Sequence, residues 1–141
     1  MSDFLVTIYH NPACGTSRNA LAMIEAAGYL PTVVEYLSVG WSRPLLEQLL
    51  AAMEARPRDL LRDKGTPAAE LGLLDDAASG EAILSAMLDH PILVNRPIVV
   101  TPKGTKLCRP SEVVLTLLER APEGFAKEDG QVVHSEGQRP N

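Results

Sequence analysis

Apolar and polar positions follow two different periods along this chain. The run Phe4-Leu5-Val6-Thr7-Ile8-Tyr9 is β-rich and predicts a strand over 4–10. Helical spacing then takes over. A first helix is expected from about Gly15 to Ala27, with Gly28 as the stop. Thr32-Val33-Val34-Glu35-Tyr36 reads as a second strand, and the strand–helix–strand spacing fits a right-handed βαβ unit with parallel strands. Ser42 caps the next helix, whose apolar positions are Leu45, Leu46, Leu49, Leu50 and Met53. Residues 57–62 and 67–71 continue a helical middle region, and an amphipathic helix follows with Ile83, Leu84, Met87 and Leu88 inward. Pro97–Thr101 is a strand, Pro102-Lys103-Gly104 a turn and Thr105–Cys108 the returning strand of a hairpin. Pro110 and Ser111 open a last helix with Val113, Val114, Leu117 and Leu118 on one face. Beyond about Arg120 the chain is polar and Gly-rich, with Phe125, Val132 and Val133 as its few apolar anchors, so a tail at best partly docked is expected.

The order β-α-β, helices, β-β-α predicts an α/β fold. Its plan is a thioredoxin/glutaredoxin-like four-stranded mixed sheet with a helical insertion. One domain would span 1–120, with the insertion at about 42–90 and residues 121–141 as the polar C-terminal tail. In such a plan the start of the first helix and the loop before the third strand meet. Asn95-Arg96-Pro97 occupies that loop, and a proline there suggests a cis peptide.

At 141 residues the chain is long enough for a sizeable core without staples. A net charge of −5 argues against broad binding to nucleic-acid backbones, though it leaves room for one basic pocket. Met1-Ser2-Asp3 carries no positive n-region, and the 4–9 run is too short for a signal core or a membrane span. The expectation is a cytoplasmic protein with no membrane partner, whose two cysteines, Cys14 and Cys108, stay reduced.

Cys14 stands where a strand ends and a helix begins. The free N–H groups and the dipole of that helix end favour negative charge, so the thiolate form is favoured and oxyanions can bind beside it. Its neighbours Pro12, Gly15, Thr16 and Ser17 belong to a loop and helix start rather than a core run. The motif is C-x-x-S, so Ser17 can donate a hydrogen bond to the sulfur but cannot form a disulfide with it. Cys108 alternates on a strand and reads as a partly buried structural residue. His10, four residues before Cys14, could be a base, an electrostatic partner or a group that helps hold the thiolate loop. His90, at a helix end, and His134, in the tail, read as structural. No metal site is expected, because His10 and Cys14 are only two ligands. Arg96, just before the proline, should face the Cys14 loop. From the residues alone, Arg18, Arg62 and Arg109 are equally compatible with solvated surface positions. The phosphatase pattern C-x5-R is absent, since Ala20 is the sixth residue after Cys14, and Gly104-Thr105-Lys106 lacks phosphate-loop spacing.

Several long motifs carry a resemblance. These are Tyr9-His10-Asn11-Pro12-Ala13-Cys14-Gly15-Thr16-Ser17-Arg18-Asn19, Leu60-Leu61-Arg62, Glu70-Leu71-Gly72-Leu73, the run from His90 to Pro102, Leu107-Cys108-Arg109-Pro110-Ser111-Glu112-Val113 and Lys127-Glu128-Asp129-Gly130. Over nearly its whole length the chain resembles the bacterial glutaredoxin-coupled arsenate reductases of the ArsC type. The resemblance implies reduction of arsenate to arsenite with Cys14 as nucleophile, and Arg62, Arg96 and Arg109 as oxyanion-binding residues. It sets His10 near the active site and makes Cys108 dispensable for the chemistry. It further implies no bound cofactor, glutathione as co-substrate and glutaredoxin as partner. With one sulfur in the active loop, electrons must come from outside thiols. The alternative is a thioredoxin-like redox regulator or a monothiol oxidoreductase acting on another substrate. Related regulators carry C-x-x-C where this chain has Ser17.

Overall fold

Strand β1, Thr7–His10, occupies an inner position of a four-stranded sheet. It pairs in parallel with β2, Thr32–Glu35, and antiparallel with β3, Ile98–Thr101. Strand β4, Gly104–Leu107, completes the order β2-β1-β3-β4. The computed structural model describes residues 4–120, Pro122, 125–126 and 132–133. The sheet is the mixed thioredoxin-like arrangement expected from the element order. The chain divides into two compact units, Met1–Glu35 with Arg96–Asn141, and Tyr36–Asn95.

In the first unit, α1 spans Gly15–Ala26 and a 3-10 helix spans Ser111–Leu117. Ile8 of β1, Val99 of β3 and Val6, just before β1, form a core with Ala20, Met23 and Ile24 of α1 and with Val114, Leu117 and Leu118. The period-2 strand pattern and the 3.6-period helix pattern thus bury their apolar sides together. Helix α1 ends in a Schellman arrangement: Tyr29 N–H donates to the Ile24 carbonyl and Gly28 N–H to that of Glu25. Gly28 holds φ +95°, a conformation open to glycine at little cost. Arg120 closes this end of the unit. Its guanidinium donates to the carbonyls of Ala27 and Gly28 and lies 4.3 Å from the Tyr29 ring centroid.

The second unit holds α2, Tyr36–Val39, α3, Arg43–Met53, a 3-10 turn at Pro57–Leu60 and α4, Gly80–Asp89. Ser42 Oγ accepts from Leu45 N–H and Ser79 Oγ from Ala82 N–H, so α3 and α4 both carry serine caps. Leu46, Leu49, Leu50, Ile83, Leu84 and Met87 are buried, whereas Leu45, Met53 and Leu88 are only half-buried. Tyr36 Oη donates to the Val94 carbonyl at 3.2 Å, and an isolated bridge joins Leu61 to Val94.

Four expectations are corrected. The strand predicted at 4–10 begins only at Thr7, because its partner β2 starts opposite at Thr32. Tyr36 leaves β2 and opens α2. Residues 67–71 form a single turn instead of a helix; Leu73 N–H returns to the Ala68 carbonyl, and Gly72, at φ +72°, stops propagation. The last helix is 3-10, and its end is tied to the β3–β4 hairpin: Thr101 Oγ1 donates to the Leu117 carbonyl and Lys103 Nζ to that of Leu118. The predicted cis peptide at Arg96–Pro97 is present, and Arg109–Pro110 is also cis. Of the tail at 121–141, Phe125–Ala126 pairs antiparallel with Val132–Val133. Its remaining residues apart from Pro122, His134 included, lie outside the described residues.

Gly28→Ala should lower unfolding stability by about 1–2 kcal/mol, the usual cost of a left-handed alanine. The added Cβ would also stand 3.1 Å from Arg120 Nη2 and disturb that clamp. Urea unfolding monitored by circular dichroism reads this as a lower midpoint at constant slope. An unchanged midpoint would show that this helix end carries no conformational constraint.

Candidate active site

Helix α1 starts immediately after Cys14, whose backbone is extended at φ −100° and ψ 122°. The turn before it is built by Asn11-Pro12-Ala13. Cys14 N–H donates to the Asn11 carbonyl at 3.0 Å, and Ala13 N–H donates to Asn11 Oδ1 at 2.9 Å. Arg18, one turn into the helix, is exposed yet not simply solvated, since its Nη1 donates to the Pro12 carbonyl at 2.9 Å. The loop is therefore fastened from both sides.

Cys14 is 8% exposed. Burial pushes its thiol pKa up. Hydrogen bonds from the Arg96 side chain, the Ser17 backbone N–H and the Arg109 side chain more than offset this, and the positive charge of Arg96 adds to them. The net result is a pKa of about 7. Arg109 Nη1 lies 3.8 Å from the sulfur and donates to the Arg96 carbonyl at 2.9 Å. One guanidinium nitrogen thus links the sulfur to the backbone just before the cis-proline. Arg96, Arg109 and the start of α1 place positive potential around one sulfur, which suits a thiolate and an approaching oxyanion alike.

Ser17 departs from its expected role. Its hydroxyl lies 2.6 Å from His10 Nδ1 and accepts from Asn11 N–H at 3.1 Å. The contribution of Ser17 to the sulfur comes from its backbone N–H. Burial moves the His10 pKa down, with Arg18 adding to the effect and Glu35 and Glu25 opposing it, so the net shift favours the neutral ring. With the ring proton on Nε2, Nδ1 accepts the Ser17 hydroxyl proton while the Ser17 oxygen accepts from Asn11 N–H.

Cys108 follows β4 and is fully buried in the sheet core, more deeply than expected. Burial pushes its thiol up to about 12, so it is inert as a nucleophile. His90, the C-cap of α4, is exposed. Arg62 lies in the second unit, next to the Leu61–Val94 bridge. Its N–H donates to the Leu93 carbonyl at 2.7 Å and its Nε to the Lys64 carbonyl at 3.2 Å. Among the described residues no group of three or more His, Cys, Asp or Glu side chains could hold a metal ion, and no helix is long and apolar enough to cross a membrane.

Asn11 is the site residue that sequence reasoning passed over. The signal was present, because Asn-Pro favours turn initiation and an Asn side chain can accept from the backbone two residues on.

Iodoacetamide alkylation of Cys14 should rise with pH and level off, with a midpoint near pH 7. Below the midpoint the rate should fall about tenfold per pH unit, because only the thiolate reacts. Sulfate should slow it by occupying the arginine-lined space, and Cys108 should stay unlabelled until the protein unfolds. A Cys14 midpoint at the free-thiol value of about 8.5 would remove the case for an activated nucleophile.

A family model described as the ArsC family matches residues 9–117. An arsenate reductase of Rhizobium meliloti is 61% identical over 133 residues, covering 94% of this chain and 95% of the relative. The arsenate reductase of Escherichia coli K12 is 54% identical over 136 residues, covering 95% and 96%. The solved arsenate reductase of Vibrio cholerae superposes with a TM-score of 0.77 at 38% identity, covering 83% of this chain and all of that one. The Cys14 loop and both arginines that reach its sulfur lie inside the matched segment, and the chain belongs to the ArsC family.

Proposed function

We propose that this chain reduces arsenate to arsenite, with glutathione and glutaredoxin supplying the electrons. The observation that carries the reading is the Cys14 sulfur, held near pKa 7 at a helix start by donors from two guanidinium groups. The names of the relatives supply the oxyanion, and the chemistry of the loop agrees with it. Cys14 is the nucleophile. Arg96 and Arg109 bind the oxyanion and neutralise the charge that grows as arsenic gains a sulfur ligand. Arg62 is read as the third oxyanion-binding residue. His10 and Ser17 support the loop from behind.

The thiolate displaces water or hydroxide from arsenate and forms a sulfur–arsenic bond, with arsenic still in the +5 state. Glutathione then attacks this adduct. Two sulfurs give up two electrons, a Cys14–glutathione disulfide forms and arsenite leaves. Glutaredoxin takes the glutathionyl group and regenerates the Cys14 thiolate. No bound cofactor enters this sequence. A cytoplasmic site suits it, because glutathione is abundant there.

Cys14→Ser should abolish arsenate reduction with the fold intact, whereas Cys108→Ala should retain most of it. Arg96→Ala and Arg109→Ala should each lower kcat by roughly 10²-fold, the usual effect of losing one oxyanion donor. Lysine at either position should recover only part, because an ammonium cannot make the two-pronged contact. Equal, total losses in Cys14→Ser and Cys108→Ala would point to an internal disulfide and sink the single-thiol scheme.

The reductant is tested by multiple-turnover arsenite production. Glutathione with glutaredoxin should sustain it, and thioredoxin with its reductase alone should give little. Robust turnover with thioredoxin alone, lost in Cys108→Ala, would make Cys108 the resolving thiol.

A further inference from the structure

We propose that Asn11 is a positioning residue, whose side chain and backbone together set the place of the Cys14 sulfur. The proposal rests on the reading of Cys14 as nucleophile and adds a residue to it. Asn11 is 2% exposed although it is polar and lies in a turn. Three of its atoms are engaged in three directions. Oδ1 accepts from Ala13 N–H at 2.9 Å, the carbonyl accepts from Cys14 N–H at 3.0 Å, and N–H donates to Ser17 Oγ at 3.1 Å. The first two bonds nest an Asx turn inside a four-residue turn with Pro12 at its second position. The third ties that turn to the first turn of α1. The Cys14 sulfur hangs from this construction and meets Arg96, Arg109 and the Ser17 N–H only if the turn keeps its shape.

Alanine at this position keeps both backbone bonds and removes the acceptor of a part-buried N–H. The turn loses its internal brace, and the sulfur loses register with its donors. Serine restores a weaker acceptor for the same N–H.

The test measures iodoacetamide alkylation of Cys14 against pH, together with kcat and KM for arsenate, in wild type, Asn11→Ala and Asn11→Ser. In the alanine variant the alkylation midpoint should move from about 7 toward the free-thiol value of about 8.5. Its kcat should fall by roughly 10- to 100-fold, as expected for a misplaced reacting group, with a smaller change in KM. Serine should lie between alanine and wild type in both readouts. A native midpoint in a folded alanine variant, or a serine variant no better than alanine, would overturn the proposal. If the alanine variant does not fold, the serine variant decides: an alkylation midpoint raised above that of wild type together with a lowered kcat supports the proposal, and a wild-type midpoint or a wild-type kcat overturns it. The alkylation arm needs no arsenate. A wild type that fails to reduce arsenate would sink the proposed function while the Asn11 comparison still reads out.

Discussion

Burial of a sulfur that must carry negative charge is the constraint around which the first unit is organised. Desolvation alone would make Cys14 a poor nucleophile, as it does for Cys108. The chain answers with donors from three separated segments: the first turn of α1, the residue before the cis-proline Pro97 and the residue after Cys108. These donors must converge within hydrogen-bond reach, and the sheet provides that convergence. Parallel pairing of β1 with β2 sends α1 back across one face, and antiparallel pairing of β1 with β3, and of β3 with β4, brings Arg96 and Arg109 to its start. Environment alone thereby pushes the two thiols of one small unit in opposite directions, Cys14 down and Cys108 up.

Support for the sulfur comes in layers. Arg109 touches both Cys14 and the Arg96 carbonyl, so the placement of one arginine depends on the backbone beside the other. His10, Ser17 and Asn11 form a buried polar group behind the loop, with the Ser17 hydroxyl 2.6 Å from His10 Nδ1 and 3.1 Å from Asn11 N. Such groups stiffen a site when satisfied and are costly when broken. They brace the loop that carries Cys14 through bonds within its own turn and to the first turn of α1.

Much of the fold was legible because its signals are local. Gly28, Ser42 and the Pro102–Lys103 turn mark element ends through their own conformational preferences, and the order of elements leaves few topologies. Less local features were read less well. The apolar, helix-like run at 67–71 stops after one turn because Gly72 turns left-handed, and the last helix is 3-10 where the hairpin takes its terminal carbonyls. At the site, the position of Cys14 between strand and helix was plain from pattern. That Arg109 would reach the sulfur was not, since long-range pairing sets its place. The Ser17 hydroxyl was misread because the C-x-x-S spacing fits either direction of its side chain, and His10 decides the direction.

The hydrogen bond from Tyr36 to the Val94 carbonyl bears on how the chain finds its sheet. β1 must pair with β3, Thr7 opposite Val100, across almost the whole intervening sequence. Closing so long a loop carries a large entropic cost, and distant pairings of this kind slow folding. Tyr36 and Val94 stand near the two ends of the second unit, so that unit, once formed, holds its own ends together. For the sheet, a floppy tether of many residues becomes a short, rigid one. The separation that β3 must close against β1 is then set by those joined ends rather than by the number of residues between them.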